Sequence, residues 1–141
     1  MEITDISIQS FFELEGNSMR PYYCRGKVIA QPCTPEEMRR GEILMFRYDG
    51  NNVCHRIIRR DGEKLTMQGD GNLYKQEQIN VSDVIGIVHT IIKPNGDLVS
   101  TQTRAARIYW KIWLRLPTIV KRVALRILKE KKSSGSHSIT Q

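Results

Sequence analysis

Residues 42 to 68 read EILMFRYDGNNVCHRIIRRDGEKLTMQ, and the fold is decided by how this stretch is divided. EILMFRY (42–48) is an apolar run of strand length. It is followed by Asp49-Gly50 and two asparagines, the chemistry of a tight reversal. VCHRIIRR (53–60) is a second strand, Asp61-Gly62 a second turn, and KLTMQ (64–68) a third strand. Working outward, KVIAQPC (27–33) alternates weakly and reads as a strand. CTPEEMRRGE (33–42) is a polar loop with room for one helical turn. GDGN (69–72) is a glycine-flanked acidic turn. VIGIVHTII (84–92) is β-branched and apolar, hence a buried strand, and DLVST after Pro94-Asn95-Gly96 adds a short edge strand. Such a meander predicts a compact, mainly β domain over residues 1–102.

From Thr103 the periodicity changes. Arg104, Arg107, Lys111 and Arg115 recur at steps of three and four, which places them on one stripe of a helix. Ile108, Tyr109, Ile112, Trp113 and Leu116 lie off that stripe. Pro117 breaks the helix, and TIVKRVALRILKEKK repeats the pattern. Residues 103–132 are thus expected to form a basic amphipathic helical tail, and residues 133–141 to be disordered.

The 141 residues carry a net charge of +7, unevenly spread. Residues 1–103 hold 12 Lys and Arg against 14 Asp and Glu, while residues 104–141 hold 10 against 1. The body is near neutral and the tail is basic, so an acidic partner is expected at the tail. Tyr109, Trp110 and Trp113 give that tail the composition of a segment that lies on an anionic membrane surface. A helical hairpin packed by its apolar face is the alternative. No nucleic-acid-binding motif accompanies the charge. Three cysteines, Cys24, Cys33 and Cys54, form neither a CxxC pair nor a disulfide framework, so no metal site or cofactor is expected. The opening MEITDISIQSFFELEG is acidic where a secretory leader would be basic. No apolar run approaches the roughly 18 residues needed to span a bilayer. The expectation is a cytoplasmic chain, peripheral at the inner face of the membrane.

The chemistry begins at EGNSMRPYY (15–23). A serine hydroxyl is a poor nucleophile until a positioned base takes its proton. His55 is the first candidate for that base, since a neutral imidazole is available near neutral pH. Strand alternation sets His55 and Ile57 on one face and Cys54 and Arg56 on the other. Asp70 is the candidate partner for the second ring nitrogen. Lys64 and Lys27 are second choices for the base. His89, in an apolar strand, reads as a core histidine.

Four segments, in this order, resemble the signal-peptidase and LexA-type superfamily of serine peptidases. GNSMRP resembles its nucleophile box and RGEILMFRY its Gly-acidic-Ile strand. VCHRIIR resembles the His-Arg box of the endoplasmic-reticulum and archaeal signal peptidases, and QGDGN their Gly-Asp-Asn box. The resemblance covers about residues 9–92. It implies a serine endopeptidase with Ser18 as nucleophile, His55 as general base and Asp70 as the nearest match to the acidic member. It further implies an oxyanion and substrate site around Asn17, Ser18 and Met19, and an extended peptide substrate such as a leader or signal-type peptide. The sequence departs from that pattern where GDGN runs straight into LYKQ without the acidic pair of that branch. Either Asp70 substitutes or the enzyme is a Ser–His dyad. Gly16 stands where many relatives carry a hydroxyl donor. A peptide-binding module without catalysis and a self-cleaving LexA-type peptidase are the alternatives.

Overall fold

The computed structural model describes residues 10–14, 18–23 and 26–139. Eight strands form one antiparallel sheet: β1 Ser10–Leu14, β2 Gly26–Gln31, β3 Ile43–Tyr48, β4 Asn51–Asp61, β5 Lys64–Gln68, β6 Glu77–Asn80, β7 Val84–Ile92 and β8 Leu98–Ser100. Their spatial order is β1-β2-β7-β3-β4-β5-β6, and β8 pairs with the far end of β7. Two helices follow, α1 Arg104–Arg115 and α2 Thr118–Ile139. The fold is mainly β, as the sequence predicts.

β3 explains why the opening stretch is so uniformly apolar. Ile43 and Met45 enter one core cluster with Val28, Ala30, Cys54 and Val88. Leu44 and Phe46 enter another with Ile57, Leu65, Met67 and Ile87. Successive strand side chains point to opposite faces, so a strand covered on both sides reads as a continuous hydrophobic run. The β3–β4 hairpin closes at Asp49 and Gly50, with φ of 53° and 77°, the positive-φ pair that a type I′ turn demands.

β1 and β6 lie outside the predicted set of strands. β6 is only EQIN, and one of its two inward positions is a glutamate: Glu77 and Ile79 are buried while Gln78 and Asn80 are exposed. A buried carboxylate hides the alternation by which a short strand is recognised. The polar loop expected after Cys33 contains a 3-10 turn at Pro35–Glu37.

The N-terminus of α1 is capped by Thr103, whose hydroxyl accepts the Ala106 N–H at 3.1 Å. The helix ends before Pro117. Its apolar residues divide into two sets. Ala106 and Trp113 are buried and Tyr109 and Trp110 half-buried, whereas Ile108 and Ile112 are 50% and 56% exposed. The helix backbone of α2 continues through Ile139, into the stretch 133–141 expected to be disordered. Among the described residues no helix is long and apolar enough to cross a membrane.

Candidate active site

Ser18 opens the turn that follows β1, and two anchors hold this turn. Met19 is 3% exposed and packs into the core beside Val28 and Met45, while its carbonyl accepts the N–H groups of Tyr22 and Tyr23 at 2.9 and 3.2 Å. Met19 therefore anchors the loop from below, its side chain in the core. On the other side the Ser18 carbonyl accepts the Gly71 N–H at 2.8 Å. A Cβ on Gly69 would lie 2.3 Å from the Ser18 carbonyl oxygen and 2.9 Å from His55 Nε2, so this position admits only glycine. Asn17 and Gly16 lie outside the described residues.

His55 projects from β4, 5% exposed, with the Phe46 ring edge-on at 6.2 Å. Its Nε2 is 3.0 Å from Ser18 Oγ, and its Nδ1 is 2.7 Å from Glu77 Oε1. The carboxylate accepts from Nδ1–H, which leaves the Nε2 lone pair for the serine proton. The serine and histidine are thus brought together, but the carboxylate is Glu77, not Asp70. The serine hydroxyl meets His55 rather than Lys64 or Lys27. His89 is half-buried on β7 rather than a core residue.

Asp70 is turned away from His55 and toward its neighbour in sequence. Arg56 Nε and Nη2 donate to Asp70 Oδ1 and Oδ2, both at 2.9 Å. Because β4 alternates, His55 and Arg56 leave the strand on opposite faces, and each meets its own carboxylate. Arg56 Nη1 also donates to the Gly41 carbonyl at 2.8 Å. The pair is buried, with Arg56 2% and Asp70 4% exposed. Burial works against the guanidinium charge, but the adjoining Asp70 carboxylate outweighs it and raises the Arg56 pKa. Tyr109 Oη donates to Asp70 Oδ2 at 2.9 Å, and Trp113 Nε1–H to the Asp70 carbonyl at 2.9 Å.

A groove of about 490 Å³ opens beside Ser18 and His55. Phe12, Met45 and Val53 give it apolar lining, and Asn52, Asn72 and Lys75 polar lining. Cys54 also borders it. Cys33 and Cys54 are free thiols, and Cys24 lies outside the described residues. Among the described residues no three His, Cys, Asp or Glu side chains cluster as metal ligands would.

The match to a family model gives this antiparallel β-domain the serine-peptidase type of fold, in the LexA and signal-peptidase superfamily. The chain belongs to the Peptidase S24-like family, whose model matches residues 9–91. No curated protein and no solved structure matches it significantly. The matched span runs from the start of β1 almost to the end of β7 and leaves both helices outside it.

Proposed function

We propose that the protein is a serine endopeptidase of the signal-peptidase type that cleaves a leader or signal-type peptide. The observation that carries this reading is the 3.0 Å contact of Ser18 Oγ with His55 Nε2, backed by Glu77 at 2.7 Å on the other ring nitrogen. His55 takes the hydroxyl proton as Oγ attacks the scissile carbonyl carbon. The tetrahedral intermediate places its oxyanion near the backbone N–H of Ser18, the donor that the family resemblance implies. Collapse breaks the C–N bond, and His55 returns the proton to the departing amine. Water, deprotonated by the same imidazole, then hydrolyses the acyl-serine. Glu77 holds Nδ1–H throughout and stabilises the imidazolium without taking the proton. β2 is the sole partner of β1 among the described strands, so the free edge of β1 suits an extended peptide added as a strand.

A fluorophosphonate probe tests the chemistry. Wild-type protein is expected to label at Ser18, Ser18→Ala to lose labelling at an unchanged melting temperature, and His55→Ala to lose labelling while staying folded by circular dichroism. Peptide affinity without labelling of the wild type would instead mark a binding module. Mass spectrometry of the purified chain over time detects self-cleavage.

The basic helices supply a membrane partner in this reading, with the protein on the cytoplasmic face. Between residues 104 and 128 there are seven Lys and Arg and no Asp or Glu. On the same segment Ile108, Ile112, Ile119, Val120, Val123, Ile127 and Leu128 are 42–67% exposed. Cations interleaved with exposed aliphatics favour an anionic bilayer surface over a self-association face, where like charges would meet. Co-sedimentation with phosphatidylcholine vesicles is expected only when phosphatidylglycerol is included, and to be lost in Val123→Asp/Ile127→Asp. Equal sedimentation with both vesicle types would overturn the assignment.

A further inference from the structure

We infer that helix α1 is a working part of the active site: Tyr109 and Trp113 are positioning residues that hold the Ser18 loop through Asp70. The inference rests on the peptidase reading above.

Asp70 stands between the two glycines that touch the serine. Gly71 donates its N–H to the Ser18 carbonyl, and Gly69 lies against that same carbonyl and His55 Nε2. Where Asp70 sits therefore decides where the Ser18 backbone sits. Asp70 in turn has two handles, and α1 grips both. Tyr109 bonds its carboxylate and Trp113 its carbonyl, each at 2.9 Å. Arg56 supplies the third hold, and the Tyr22 and Tyr109 rings lie with their centroids 5.0 and 5.6 Å from its guanidinium carbon. Tyr22, four residues past the serine, stacks on Tyr109 with centroids 5.0 Å apart, a second link from the helix to the same loop.

Trp110 fixes the register of the helix. It occupies the space that a side chain at residue 41 would need: a Cβ on Gly41 would lie 2.3 Å from the indole. Gly41 is also the residue whose carbonyl accepts from Arg56. Residues 109, 110 and 113 share one face of a helix. Burial and the Asp70 charge both raise the Tyr109 pKa, so its hydroxyl stays a donor. Tyr109, Trp110 and Trp113 lie outside the span that matches the family, which ends at residue 91. α1 thus adds two bonds to Asp70 beyond those that Arg56 supplies from within the β-domain.

The test is the rate of fluorophosphonate labelling at Ser18 as a function of pH, for wild type, Tyr109→Phe and Trp113→Phe, with Ile108→Ala as an exposed control on the same helix. The plateau rate is expected to fall about ten- to a hundredfold in both aromatic variants, the scale of a misplaced reacting group. The pH midpoint is expected to stay put, because the hydrogen bonds of His55 run to Ser18 and Glu77 and not to α1. Amide exchange at Gly71 is expected to quicken in the same variants, at temperatures where circular dichroism shows them folded. A purely structural plug would lower the melting temperature and leave the plateau rate and Gly71 exchange of the folded protein unchanged, and that result overturns the inference. A shifted midpoint with an unchanged plateau overturns it as well. Wild-type protein that does not label at Ser18 defeats the peptidase reading itself, and Gly71 exchange alone then decides whether α1 holds the loop.

Discussion

Two buried carboxylates flank the same strand and have opposite uses. Glu77 meets His55, and Asp70 meets Arg56, the next residue along β4. An imidazole can gain and lose a proton near neutral pH, so the Glu77 side of the strand is suited to proton transfer. A guanidinium keeps its charge at any accessible pH, so the Asp70 side is suited to holding two segments together. The difference teaches that the partner, more than the carboxylate, sets the role. One step along a β-strand is enough to separate a serine–histidine–carboxylate cluster from a fastening.

Substitution of each acid should separate the two. Glu77→Gln keeps the shape but removes the charge that fixes the histidine tautomer. Labelling at Ser18 is expected to fall by about a thousandfold or more, by analogy with other serine–histidine–acid sites, with a small change in melting temperature. Retention of most activity would mean that the serine and histidine suffice as a dyad. Asp70→Asn leaves a guanidinium buried without a counter-charge. Chemical denaturation should show a loss of about 3–5 kcal/mol, and a variant of wild-type stability would refute the fastening role.

The third contrast lies in alkaline solution. Burial and Asp70 raise the Tyr109 pKa above its ordinary 10.0. Above pH 10 the unfolded chain releases this proton while the folded chain keeps it, so stability is full below pH 10 and is lost as pH rises beyond it. Tyr109→Phe is expected to make that alkaline limb shallower in a series of thermal melts, with Tyr22, Tyr23 and Cys54, whose pKa values burial also raises, carrying the rest. The smallest effect belongs to the cap of α1: Thr103→Ala should cost about 1 kcal/mol of stability by denaturant titration.

What the sequence disclosed depended on how local the signal was. β3 and β4 were legible because ILMF and the Asp49-Gly50 turn are self-contained patterns. Ser18 and His55 were legible because each sits in a box with its own spacing. Glu77 was not, because the inward glutamate masks the alternation of a four-residue strand. Asp70 attracted the acidic role because GDGN resembles a known box. Its true partner, Arg56, lies 14 residues away in the chain, and chain order does not say that the two meet. The docking of α1 depends on contacts 39 and 43 residues apart in the chain, and the even spacing of its apolar residues gave no sign that the aromatics turn inward while the isoleucines face out.

Cys54 borders the same groove as Ser18 and is the stronger nucleophile by nature. Here it is muted: burial pushes its pKa up to about 12, and its sulfur lies 3.2 Å from the Tyr23 hydroxyl. Thiol-selective electrophiles should therefore pass this cleft by, and under the peptidase proposal inhibitor chemistry aimed at it is built for an alcohol, with boronates and β-lactones ahead of acrylamides and chloroacetamides.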